Sequence, residues 1–226
     1  MLDSSGDEGM TKERCVVVLS GGPDSAVVAF WAKSHGYEVY ALSFKYGQIA
    51  SKELDSAQKI AEMLEADFKI IDLSSLKEIF SGVSSLVDRN IPMTSAFSSQ
   101  IVVPFRNAIF LSVAVSYCVG IDGKKVFYGA QGSDRQFYLD CRREFYKAFE
   151  TSAILGTGTN ITVEAPFSET SKPALFRLGL ELGVPFDLTW SCYLDGPRHC
   201  GKCESCMNRA KAFREAGIPD PTQYDS

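Results

Sequence analysis

Six consecutive residues, Ser20-Gly21-Gly22-Pro23-Asp24-Ser25, combine two glycines, two hydroxyls and a carboxylate in one short stretch. Glycines let a backbone come close to a ligand, and serine hydroxyls add donors. Placed between a strand and a helix, such a turn aims unpaired backbone N–H groups at an anion, phosphate above all. Pro23 falls where the first turn of a helix tolerates a missing N–H. No Gly-Lys-Ser/Thr comes after it, so the loop is not the lysine-bearing kind associated with γ-phosphoryl transfer. Leu19 through Ser25 is therefore the expected phosphate-contacting set, with Ser20, Asp24 and Ser25 as its chemically active members. An ordinary turn of small residues would share the glycine pair, but the whole string in this context favours phosphate.

The second concentration of chemistry is Cys192, Cys200, Cys203 and Cys206. Four thiolates at loop spacings suit a closed tetrahedral zinc site, and Gly201 permits the tight turn it needs. Two disulfides would require an oxidising compartment, and a Cys-x2-Cys-x2-Cys run also occurs around iron–sulfur clusters. With no accompanying redox motif, zinc is the preferred ion, in a structural role. Cys15 and Cys118 read as core residues.

The elements that must position these groups follow from periodicity. Cys15–Leu19 is a β-branched strand before the loop, and Ala26–Lys33 is a helix after it. Further strands are expected at 37–44, 68–73, 125–129 and 161–164, with helices at 50–65, 108–119, 173–182 and 207–216, and one opening near Tyr138–Cys141 and running to about Ile154. Alternating strands and helices predict an α/β fold, a doubly wound five-stranded parallel sheet, with the cysteine knuckle appended at the C-terminal end. Residues 74–100 lack sustained periodicity and read as a short helix and a mobile loop. The last helix carries Arg209, Lys211 and Arg214 and reads as basic.

Several polar residues fall where strands end, which is where open parallel sheets bind ligands. Tyr46 and Gln48 follow the second strand, and Asp134 lies in a Gly/Ser loop after the fourth. Arg106 and Asn107 stand just before an apolar helix, where Asn is a good cap and Arg would add a fork of donors. Asp140 reads most simply as the cap of its own helix. Lys172 opposes the dipole of the helix it begins, which marks it as a functional candidate against a plain solvated lysine.

The chain has 226 residues, with 45% hydrophobic and 23% charged, ordinary globular values. Its net charge of -5 argues against direct nucleic-acid binding as the main function. No apolar run reads as a membrane span. Residues 1–13 are polar, without a signal-peptide core, and read as a flexible lead-in to a cytoplasmic protein. Residues 14–226 read as one domain that includes the knuckle at 192–206.

Ser-Gly-Gly-Pro-Asp-Ser after a buried strand resembles the PP-loop of the ATP pyrophosphatases, with their adenine nucleotide alpha-hydrolase-like fold. That loop holds the β- and γ-phosphates of ATP while a substrate attacks the α-phosphorus. Joined to Phe44-Lys45-Tyr46-Gly47-Gln48, Val103-Pro104-Phe105-Arg106-Asn107, Tyr138-Leu139-Asp140-Cys141-Arg142, Glu164-Ala165-Pro166, Leu188–Tyr193 and the cysteine knuckle, it resembles the 7-cyano-7-deazaguanine synthases of queuosine precursor synthesis. The resemblance implies a homodimer with one structural zinc per chain. It also implies an ATP-dependent ligase that converts 7-carboxy-7-deazaguanine and ammonia to the nitrile through adenylated intermediates, with Mg2+ accompanying the triphosphate. It makes Arg106, Asn107, Asp134, Asp140 and Lys172, together with Tyr46, Gln48 and Tyr138, the candidates for substrate or adenylate contacts.

Two departures bear on substrate. The family usually has Gly where this chain has Phe105, a large side chain expected near the pocket, and the loop 131–141 lacks a Gly before Tyr138 and a Pro after it. These changes raise an alternative in which the same acid is adenylated and passed to a protein or other amine, stopping at an amide. A tRNA-modifying PP-loop enzyme and a catalytically silent nucleotide-binding protein are the more distant rivals.

Overall fold

In the run Cys15-Val16-Val17-Val18, β-branched side chains restrict χ1 and favour extended backbone, and the run forms β1 (Arg14–Val18) at the centre of the sheet. The computed structural model describes residues 12–225, so the expected flexible lead-in lies, except for Lys12 and Glu13, outside the described residues. The other strands are β2 (Glu38–Lys45), β3 (Asp67–Asp72), β4 (Lys125–Tyr128) and β5 (Thr162–Glu164), in the order β3-β2-β1-β4-β5. All pairings are parallel, with Val17 opposite Ala41 on one side and Phe127 on the other. The chain therefore winds outward twice from β1, and the order switches between β1 and β4. Ligands bind at that crevice in such sheets.

Successive residues of a strand face opposite sides, so β1 feeds two cores. Val17 and Phe127 join Val27 of α1 (Pro23–Ser34), Ile60 of α2 (Lys52–Met63), Phe176 of α6 (Lys172–Glu181) and Phe213 of α7 (Glu204–Ala216). Val16, Leu42 and Val126 meet Leu111 and Ala114 of α4 (Arg106–Gly120) and Tyr146 and Ala153 of α5 (Arg143–Thr157). The stretch Ser99–Gly120 has the length and apolarity of a membrane span, contrary to the sequence expectation. Its apolarity has a local reason: Ala108, Phe110, Leu111, Ala114, Val115 and Cys118 are buried against the sheet.

Three further expectations are corrected. Residues 74–100 contain a 3-10 turn and the short helix α3 (Lys77–Phe80), but the segment after that helix is packed rather than loose. Ser84 and Ser85 are fully buried, the Ser85 N–H donates to Gln100 O at 2.8 Å, and the Ile49 N–H donates to Leu86 O at 2.8 Å. The helix expected from 138 begins at Arg143, after a 3-10 turn at Leu139–Cys141. The last helix is not basic throughout: Arg209 is 1% exposed, and its guanidinium donates to Thr189 Oγ1 (2.7 Å), Ser191 Oγ (3.0 Å) and Phe186 O (2.6 Å). It ties α7 to the segment 186–191. Cys15 and Cys118 are buried as expected.

Candidate active site

Beyond β1 the chain enters the phosphate loop and then α1, whose first amides have no intrahelical carbonyl to bond. Gly21 has φ +80°, and a Cβ there would lie 2.0 Å from Glu53 O, so only glycine allows α2 to pack directly behind the loop. A Cβ on Gly129, at the end of β4, would meet Ser25 N at 2.8 Å. The loop is braced from within. Ser25 Oγ donates to Gly22 O (3.1 Å), accepts from the Ser20 N–H (3.1 Å) and lies 3.0 Å from Ser20 Oγ. From outside, the Trp190 N–H donates to Gly21 O at 2.9 Å.

A cavity of about 280 Å3 opens at this point, at the carboxyl ends of β1, β2 and β4. Ser20, Gly22, Asp24, Ser25, Tyr46, Gln48, Arg106, Asn107, Asp134, Tyr138 and Lys172 all line it, so positions far apart in the sequence share one space. Gly21 and Asp140 are not part of that lining. Lys172 Nζ donates to Asp24 Oδ2 at 2.9 Å, both side chains about one-fifth exposed. Asp24 Oδ1 is buried with no partner among the described residues. Burial opposes the charge on Lys172, but Asp24 and Asp134 outweigh it and hold its pKa above the ordinary value. Asp134 accepts from the Gln131 side-chain amide (2.8 Å) and from its backbone N–H (3.2 Å). Burial raises its carboxyl to about 6, although Lys172 and the Gln131 bonds pull the other way. The lysine expected to oppose its own helix dipole thus answers two carboxylates from other elements.

Asp140 does not cap its own helix. Its carboxylate accepts from the Asn107 backbone N–H at 3.1 Å, and so it satisfies an orphan amide in the first turn of α4, while Arg142, which makes no side-chain capping bond, stands at the cap of α5. Asn107 returns the contact through Nδ2 to Asp140 O (3.4 Å) and Cys141 Sγ (3.4 Å). Arg106 Nη1 donates to Tyr46 Oη at 3.0 Å, with the guanidinium over the Tyr46 ring. Gln48 is committed to architecture: its oxygen accepts from the Tyr46 N–H (2.8 Å), and its Nε2 donates to Phe44 O (2.9 Å) and Glu53 Oε1 (2.8 Å).

Phe105 departs from its expected place. The residue is 66% exposed, and its ring packs edge-on to Phe145 at 5.9 Å, outside the cavity. Its backbone is left-handed, at φ 56°, ψ 23°, a region that costs a non-glycine residue roughly 1–2 kcal/mol. A glycine at this position answers a backbone requirement, and its replacement does not fill the pocket.

The structure adds residues that sequence reasoning missed. Glu53 lines the cavity beside Gln48, and burial pushes its carboxyl up to about 7 against the pull of Gln48 and Arg106. Trp190, Tyr193, Glu204 and Asn208 also line the cavity. The one signal available for Trp190 and Tyr193 was their place in the Thr-Trp-Ser-Cys-Tyr string. Glu204 passed as a spacer between cysteines.

The four cysteine sulfurs lie within 4.8 Å of one another, a donor set able to hold a metal ion. N–H groups of Leu194 and Cys200 point at Cys192 Sγ, and those of Lys202 and Cys203 at Cys200 Sγ, all at 3.3–3.4 Å. Donors aimed at sulfur suit thiolates. Burial, helped by Arg209, holds His199 down to about 4, so the neutral ring accepts from the Ser191 N–H at 3.0 Å. The knuckle therefore fixes the segment whose Trp190 braces the phosphate loop.

The sequence matches the family described as Queuosine biosynthesis protein QueC over residues 14–217. It is 42% identical over 215 residues to the 7-cyano-7-deazaguanine synthase of Caldicellulosiruptor bescii, covering 94% of this chain and 97% of that one. It is 41% identical over 218 residues to a protein of the same name from Archaeoglobus fulgidus, covering 94% and 90%. Among solved structures, NMN synthetase from Francisella tularensis superimposes with a TM-score of 0.53 at 17% identity, over 93% of this chain and 79% of that one, a likeness of fold.

Proposed function

The chain belongs to the QueC family of queuosine biosynthesis proteins, and from that membership we propose that it is the ATP-dependent carbon–nitrogen ligase that makes 7-cyano-7-deazaguanine from 7-carboxy-7-deazaguanine and ammonia. The observation that carries the reading is the convergence of the phosphate loop, Lys172, Asp134 and Arg106 on one cavity at the carboxyl end of the sheet.

A carboxylate oxygen is a poor leaving group until it is phosphorylated. One substrate oxygen attacks the α-phosphorus of ATP and pyrophosphate leaves. Ammonia then adds to the acyl carbon, AMP departs and a proton is lost. A second ATP takes the amide oxygen in the same way, and as AMP leaves, the nitrogen gives up its two protons and the nitrile forms. Ser20, Gly21, Gly22, Ser25 and the first amides of α1 hold the departing pyrophosphate, where fixed donors need no reorganisation as charge develops. Lys172 and Arg106 add positive charge, and Asp134, near pKa 6, is suited to accept the proton that the amine sheds.

The unpartnered oxygen Asp24 Oδ1 fits a hard, oxygen-seeking cation and would hold Mg2+, which screens triphosphate charge when bound. The four thiols suit Zn2+ in a structural role. In this reading the enzyme is a cytoplasmic homodimer acting on small molecules. The alternative protein acceptor loses the argument drawn from Phe105, because that ring lies outside the cavity.

Mass spectrometry of the protein with ATP, Mg2+ and 7-carboxy-7-deazaguanine tests the reading. The nitrile and AMP are expected only when ammonia is added. AMP formation that stalls at the amide would move the assignment to another acceptor, and no AMP would overturn the substrate.

A further inference from the structure

The knuckle does more than close the C-terminal end, because α7 starts inside it and presents a carboxylate to the cavity. Glu204 follows Cys203 directly, is 9% exposed and lines the cavity wall. Two donors fix it: Tyr193 Oη donates to Oε2 at 2.9 Å, and Asn208 Nδ2 donates to Oε1 at 2.5 Å. Its position in the first turn of a 13-residue helix favours negative charge. Each carboxylate oxygen has two acceptor directions. With one on each oxygen taken, each oxygen keeps one acceptor direction free for a pair of donors, and Tyr138 and Tyr193 share the same cavity wall.

A paired acceptor next to aromatic walls suits a flat heterocycle with two adjacent N–H donors on one edge. A 2-amino-4-oxo-pyrrolopyrimidine has such an edge in the ring N–H between its carbonyl carbon and C2 (N1–H in purine numbering) and its exocyclic 2-amino group. Adenine does not: its 6-amino group sits beside a ring nitrogen that only accepts. We propose that Glu204 is the specificity-determining residue that reads the N1–H and 2-amino edge of the deazaguanine and rejects an adenine-type base from that end of the cavity. This assignment rests on the substrate class proposed above. It gives the knuckle a part in recognition, since Glu204 and Tyr193 each adjoin a cysteine of the cluster.

Calorimetric titration of the full-length protein tests it, with 7-carboxy-7-deazaguanine, its 2-deamino analogue and ATP as separate probes. In the unmodified protein the acid is expected to bind about 10–100-fold tighter than the analogue, the usual worth of a hydrogen bond to a charged group. Glu204→Gln turns one acceptor into a donor facing the substrate N–H. It is expected to lose about 100-fold in affinity for the acid, with little preference left over the analogue and with ATP affinity and metal content unchanged. Glu204→Asp keeps the charge but withdraws it by one methylene, and is expected to fall between the two. Equal binding of the acid by the unmodified protein and both variants would overturn the role of Glu204 while leaving the function standing. Parallel loss of ATP affinity in Glu204→Asp would overturn it too, since the residue would then serve the whole cavity. If the unmodified protein does not bind the acid, the functional reading fails first and this inference with it.

Discussion

Replacing Lys172 by methionine keeps most of the side chain's bulk and removes its charge. Asp24 then loses the cation on Oδ2 while Oδ1 already lacks a partner, and Asp134 loses the nearest positive charge opposing its burial. Breaking a buried ion pair by deleting one partner costs roughly 3–5 kcal/mol, and the one-fifth exposure of both side chains places this pair at about 3 kcal/mol or somewhat below. The pH dependence has a definite sign. A carboxyl raised to about 6 in the fold, from an ordinary value of 3.8, reduces stability as pH climbs through that interval and holds it reduced above. Without Lys172 its folded pKa rises further, so the loss extends to higher pH. Urea unfolding of Lys172→Met should therefore show a larger deficit at pH 8 than at pH 5, where Asp134 is mostly protonated in both proteins. Combining it with Asp24→Asn should recover about 1–2 kcal/mol, the coupling expected of residues in direct contact. If Lys172 serves the phosphates as proposed, pyrophosphate release should fall at least about 100-fold, the usual worth of a fixed electrostatic stabiliser. A deficit below about 0.5 kcal/mol, the level of an exposed pair, or one equal at both pH values, would refute the linkage of these three groups.

Phe105→Gly should be more stable than Phe105→Ala by about 1 kcal/mol, the reverse of their usual order in helices, because only glycine relieves a left-handed backbone without strain. Thermal melts of the two variants decide it, and an alanine variant equal to or better than glycine would refute it. Cys206→Ser should lose the metal and lower the melting temperature by about 10 °C or more, as removal of a structural tetrathiolate ion does. Metal emission analysis should give one zinc per chain in the parent protein and a small fraction of that in the variant.

The phosphate loop and the cysteine spacing were legible because each is built from neighbours in the chain. A turn of small residues and a Cys-x2-Cys run carry their chemistry within a few bonds. The strands and helices were legible for the same reason, since periods of 2 and 3.6 are local properties. Alternation then implied the parallel sheet, and the sheet implied the end at which a ligand sits.

Other features depended on which surfaces meet. Lys172 reaches Asp24 across 148 positions of sequence, and no local preference announces that pair. Asp140 looked like a cap and is one, but for α4 rather than its own helix, because the turn at Leu139–Cys141 swings it across to Asn107. Phe105 looked like a pocket residue, and the left-handed backbone at its position turns it outward. Glu53 and Glu204 carry no signal of their own in the sequence, and packing placed them at the cavity. Sequence by itself determined the fold class, the phosphate loop and the thiol set, which rest on local stereochemistry. Tertiary structure decided which charges face one another, because burial and partnership belong to surfaces brought together only by folding.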